Sequence, residues 1–283
     1  MIEMLGMLTL PFLACIVFGV ALSYFGFQVL KREVIFIDIA LAQVAAVGSL
    51  VAHLAFDAEE DSLLAYAFSF ALIALVALFY AVTRKHIVQI SIEAVIGLSY
   101  AITAAAAMFL IGVATGHHVH AEEMLAGKLL WVTWPYLIAC LIVAIIVFAL
   151  VLLFRKPFHE TSADYDRAVA QGRKVVWWDF LFYLLLGALI TLFVPVAGVV
   201  VVFAFLILPA TTAVLIAQSV RAQMFVAWIV LAIGSAAGLA FSYRFDFSVG
   251  PPVALFLGIT LATVAIVRRL SNLRRQPDRT SVS

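Results

Sequence analysis

"VAGVVVVFAFLILPATTAVLIA", residues 196–217, carries no charged side chain along its whole length. The hydrocarbon core of a bilayer takes roughly 20 apolar residues per helix. Backbone exposed to lipid must satisfy its own hydrogen bonds, so a continuous run of this kind crosses as a helix. A membrane barrel would instead need short strands of alternating polarity, and this run does not alternate. Pro209 takes one N–H out of the helix and frees a carbonyl one turn back, which predicts either a gating bend or a static kink.

Such runs recur from end to end. Of the 283 residues, 66% are hydrophobic and 12% charged, with a mean hydropathy of +1.18, which is more apolar surface than one soluble core can hide. The fold class is therefore all-α, a polytopic membrane protein with about nine crossings. Spans are expected near 7–29, 34–56, 63–82, 90–114, 129–154, 178–194, 196–218, 224–243 and 252–268, with ends placed to about 4 residues. The division at Pro195 is the least marked of these. One transmembrane domain is expected over residues 1–270, followed by a polar, basic tail, 271–283, with the composition of a disordered segment. Cys15 and Cys140 lie inside spans and read as buried thiols. The first residues lack Lys and Arg, so the first span reads as a retained helix and not as a cleaved signal.

Charge sets the expected orientation. Lys31, Arg32, Arg84, Lys85, Arg155, Lys156, Arg167, Arg173, Lys174, Arg221 and the arginines from Arg268 onward all fall on one side of the nine spans. Lys and Arg accumulate in cytoplasmic loops, which puts the N-terminus outside and the C-terminus in the cytoplasm. The opposite loops hold Asp57, Glu59, Glu60 and Asp61, then the His-rich stretch "GHHVHAEEM", residues 116–124, and then Arg244 and Asp246. Trp131 and Trp134 mark an outer interface, and Trp177 and Trp178 an inner one.

One inner connection is long. "RKPFHETSADYDRAVAQGRKVVWWDF", residues 155–180, holds a helical stretch expected from about Ser162 to Gln171. Ser162 is a good N-cap, Asp164 and Asp166 suit the positive end of the helix, and Gly172 suits its stop. Two readings stand: an interfacial connector, or a docking element for a cytosolic partner. The second gains weight because the chain has no G-x-x-x-x-G-K-[ST] phosphate loop and so cannot itself supply energy from ATP.

Four pieces occur in order: "FIDIALAQVAAVGSLVA" (36–52), "EAVIGLSYAITAAAA" (93–107), the Asp-x-Asp-x-Ala-x-x-x-Gly pattern of Asp164, Asp166, Ala168 and Gly172, and the opening stretch. Together they resemble the permease subunits of the zinc/manganese/iron class of ABC importers, over about residues 10–267. The resemblance implies a permease similar in plan to the cobalamin and siderophore permeases, working as a dimer of two permease chains. It would be a transport subunit and not an enzyme. Metal would come from an extracytoplasmic binding protein, and ATP would be hydrolysed by a separate ATPase subunit docked on a coupling helix containing Asp164, Asp166, Ala168 and Gly172. No permanent cofactor is implied; the divalent metal is cargo, with zinc placed ahead of manganese or iron because of the histidines.

Family members with a recognised permeation site carry Asp-x-x-x-His in the second span. Here Asp38 matches the Asp, but the residue four later is Ala42, followed by Gln43. Asp38 is thus the candidate metal contact and pathway residue; its other reading is an interfacial carboxylate close after Lys31, Arg32 and Glu33. Gln43 reads as a pathway residue or as interhelical glue. Glu93 reads as a pathway residue, or as a carboxylate that caps the fourth span or pairs with Arg84 or Lys85. His117, His118, His120, Glu122 and Glu123 form a candidate metal-capture loop before a helix expected near Ala121, or else a wet docking surface. An ATP-independent transporter would need paired intramembrane charges across inverted repeats, and a membrane enzyme would need converging acids or bases. Asp38, Glu93 and Asp179 are the carboxylates near apolar spans.

Overall fold

The computed structural model describes residues 2–59, 62–86, 89–113, 127–163 and 165–274. Their regular structure is helical: α1 (Ile2–Arg32), α2 (Ile37–Phe56), α3 (Leu63–His86), α4 (Ile92–Val113), a 3₁₀ turn (Leu129–Trp131), α5 (Trp134–Leu153), α6 (Arg155–Ala163), α7 (Tyr165–Ala170), α8 (Val175–Ala197), α9 (Val199–Ile216), α10 (Val220–Phe245) and α11 (Gly250–Arg274). Among the described residues nine helices are long and apolar enough to cross a bilayer: α1 to α5 and α8 to α11.

Two local expectations are corrected. The sixth and seventh spans part at Gly198 and not at Pro195, which lies inside α8. Gly198 has φ 80° and ψ 154°, a conformation open essentially to glycine, and it serves both as the last cap of α8 and as the first of α9. Pro195 is so near the end of α8 that its missing N–H does not stop the helix. Secondly, the loop helix is two pieces, and Ser162 lies inside α6 instead of capping a helix start. The last helix, α11, runs to Arg274, and residues 275–283 lie outside the described residues.

Packing places α2, α8 and α9 at the centre. The second packs against α3 and α4, α8 against α3, and α9 against α1, α10 and α11. Helices in lipid gain little from hydrophobic exclusion and associate by close fit of small residues. Gly26 of α1 shows that fit, since an added Cβ would stand 1.9 Å from the Leu206 carbonyl oxygen of α9. Phe18 and Phe193 stack at 4.2 Å where α1 meets α8. The uncovered sides of α4 and α11 are apolar, with Leu98, Ile102, Phe109, Leu255, Ile259 and Ile266 exposed.

Candidate functional site

The second helix begins one turn after α1 ends, through Glu33 in the left-handed region at φ 55°. Its first-turn Asp38 is 1% exposed, and neither carboxylate oxygen has a hydrogen-bond partner. Ala42, one turn further along the same face, is buried and offers a methyl where the family pattern has an imidazole. Gln43 is half-buried on a neighbouring face.

Glu93 does something the sequence did not suggest. Its Oε1 accepts the Phe36 N–H at 3.2 Å, so a first-turn residue of α4 caps the start of α2. It does not pair with Arg84, which binds Asp179. The other oxygen, Oε2, is buried without a partner, and Glu93 is close enough to act electrostatically on Asp38. Three orphaned carboxylate oxygens therefore gather between the first turns of α2 and α4. An ionised carboxylate in an apolar interior is costly unless a counter-charge or donors join it.

A second charged cluster lies at the same end of the bundle. Asp179, fully buried in the second turn of α8, pairs with Arg32 from the end of α1. It also accepts from Arg84 Nη1 of α3 at 3.2 Å on each oxygen. Arg32 lies 4.1 Å over the Phe182 ring and Arg84 4.1 Å over the Tyr165 ring. One carboxylate thus ties three spans and α7 together. From sequence Asp179 was only a carboxylate near an apolar run; the available signal was its place inside α8 with arginines ending α1 and α3.

The loop helices rest on this cluster. Phe158 of α6 packs against Trp178 and Phe182 of α8. Gly172, at φ 69°, ends α7 as expected: its N–H donates to the Val169 carbonyl, and Arg173 N–H donates to that of Ala168. Ala168 is buried, 4% exposed, with its side chain packed within the chain. Burial pushes the Tyr165 phenol well above its ordinary range, and the nearby Asp179 charge adds to this. Asp164 and the Asp166 side chain lie outside the described residues.

At the opposite end, Tyr136 donates to the Leu192 carbonyl at 2.6 Å and its hydroxyl meets that of Tyr66 at 3.2 Å, joining α5, α8 and α3. His117, His118, His120, Glu122, Glu123 and the helix expected near Ala121 lie outside the described residues. His53 uses Nδ1 on the Ala58 carbonyl at 2.9 Å, a local closure of the α2 end. Among the described residues no three His, Cys, Asp or Glu side chains are grouped to hold a metal.

A manganese transport system membrane protein of Listeria monocytogenes is 33% identical over 133 residues, 47% of this chain and 48% of its own length. A Haemophilus influenzae protein described as "Probable iron transport system membrane protein" is 31% identical over 154 residues, 52% of this chain and 56% of its own. The chain thus spans about half the length of these curated relatives. The solved structure of PsaBC from Streptococcus pneumoniae in complex with Fab shares the fold, at a TM-score of 0.78 and 22% identity over 97% of this chain and 98% of that one. The model of the ABC 3 transport family matches residues 4–268, nearly the whole of the described bundle, and the chain belongs to that family.

Proposed function

We propose that this chain is the membrane-spanning permease subunit of an ATP-driven importer of divalent metal, working as a pair of permease chains with a separate ATPase and an extracytoplasmic metal-binding protein. The observation that carries this reading is the set of three unpartnered carboxylate oxygens on Asp38 and Glu93, inside a nine-helix bundle of the ABC 3 transport family. A passing cation supplies the counter-charge these oxygens lack. The basic end of the bundle, with α6 and α7, faces the cytoplasm in this reading, and the loop holding His117, His118 and His120 faces the binding protein.

The donor atoms bear on the cargo. Oxygen ligands suit manganese better than zinc, whereas imidazole suits zinc, copper and iron. With Ala42 in place of the family histidine, the inner site is oxygen-only, which puts manganese first. The relatives named for manganese and iron transport are consistent with this order. Zinc is the second reading, favoured by the three histidines of residues 117–120.

The test is uptake into vesicles containing the permease, its ATPase and its binding protein, with Mn²⁺, Zn²⁺ and Fe²⁺ in competition. Manganese uptake that depends on ATP and on Asp38 is the expected result. Uptake without ATP, or uptake indifferent to Asp38→Asn, would overturn the reading.

A further inference from the structure

Arg84 is not needed to neutralise Asp179. Arg32 already pairs with that carboxylate, with both side chains fully buried, and one guanidinium balances one carboxylate. Yet Arg84 leaves the end of α3 to reach the same group while spreading its other face over the Tyr165 ring at 4.1 Å. Its guanidinium is therefore a bridge between a buried acid of α8 and the first residue of α7.

We infer that Arg84 is a positioning residue that locks α7 to the α3–α8 pair, so that displacement of α7 by a partner is passed to those spans. The inference rests on the reading of α6 and α7 as the partner-facing element. Apart from this bridge, α7 packs against α6 and α8. It is six residues long, too short to hold a place by its own helical stability. A cation over an aromatic ring gains most when both are shielded from water, and here the Arg84 side chain is only 12% exposed. Separating Arg84 from Asp179 at this depth would leave charge uncompensated, so α3 and α8 move as one body, and α7 is joined to that body through the Tyr165 ring. Both pack directly against α2, which carries Asp38. A move begun at Tyr165 thus has a contiguous route to the orphaned carboxylates.

Arg84→Gln tests this without stranding a charge, because the Arg32–Asp179 pair stays intact. In lipid nanodiscs holding the permease alone, hydrogen exchange at the amides of residues 167–171 should quicken about tenfold in Arg84→Gln and equally in Tyr165→Leu. The double variant should add nothing, and Tyr165→Phe should restore protection. Unchanged exchange, or additive effects, would overturn the inference whatever the protein transports. In the assembled complex, Arg84→Gln should keep its ATPase subunit and hydrolyse ATP while metal uptake falls about tenfold. Uptake falling only in step with lost ATPase association would reduce Arg84 to a docking residue. A wild-type complex that moves no metal would refute the proposed function instead, leaving the exchange result to decide the role of Arg84.

Discussion

Asp179 and Arg84, 95 residues apart in sequence, meet through both carboxylate oxygens at 3.2 Å, and the same carboxylate holds Arg32. Three charges thus share a space that a bundle of this composition would otherwise fill with Leu or Phe. Such a cluster is poor evidence of net stability, since desolvation offsets much of the attraction, but it is unforgiving of partial removal.

Asp179→Asn should therefore destabilise the permease by about 3–5 kcal/mol, because it strands two guanidinium groups in an apolar interior. Thermal unfolding in detergent, followed by loss of the monodisperse peak in size-exclusion chromatography, would register this. Arg84→Gln in the same assay should lose much less. Equal losses would mean that the cluster acts by packing and not by charge balance.

Gly198 gives a backbone prediction. Ala at φ 80° and ψ 154° is strained, at a cost of about 1–3 kcal/mol. A Cβ on the facing Gly127 would already stand 2.3 Å from the Ala197 carbonyl carbon, so the junction has no slack to relax into. Gly198→Ala should lower the unfolding temperature, whereas Pro195→Ala should leave the α8–α9 break where it is. An α8 that runs on through residue 198 in the Gly198→Ala protein would show that the sequence on either side does not demand a break.

Legibility in the sequence tracked the range of the interaction. The nine spans could be read because each is apolar over its length and keeps what charge it has to its first or last turns, a property local to the segment. Gly172 could be read for the same reason, since a helix stop is written in a few adjacent residues. Gly198 could not, because it sits in an apolar run where Pro195 is the louder signal. Glu93 and Asp179 were legible as oddities and not as parts: one caps a helix 57 residues away, the other closes contacts across 147 residues. No period or motif within either helix names those partners. Asp38 lies between the two cases, for its position marks it as a candidate in the sequence while its lack of partners is a property of the packed bundle.

Glu93 separates its two roles under substitution. Glu93→Gln keeps an oxygen for the Phe36 N–H and removes the charge, whereas Glu93→Ala removes both and should cost about 1 kcal/mol of α2 capping. If the carboxylate also meets cargo, Gln should retain wild-type unfolding behaviour while uptake at limiting manganese falls several-fold. Full uptake in Glu93→Gln together with reduced uptake in Glu93→Ala would confine this residue to capping.

Asp38 makes the opposite demand on stability and on function. Its buried oxygens accept no well-formed hydrogen bond, so Asp38→Asn replaces an uncompensated acid with a neutral group of the same shape and should raise the unfolding temperature of the permease measured without added metal. The wild-type protein should regain ground when manganese is added. A ligand bound only by the folded state stabilises it by about 2.7 kcal/mol at a hundredfold excess over Kd. Asp38→Asn should show none of that metal-dependent gain, and its uptake should be lost although it is the sturdier protein. The measurement is a thermal unfolding series with and without Mn²⁺, run beside the transport assay. If the variant is less stable than wild type without metal, or gains as much from manganese, Asp38 is an interfacial or structural carboxylate and cargo passes elsewhere.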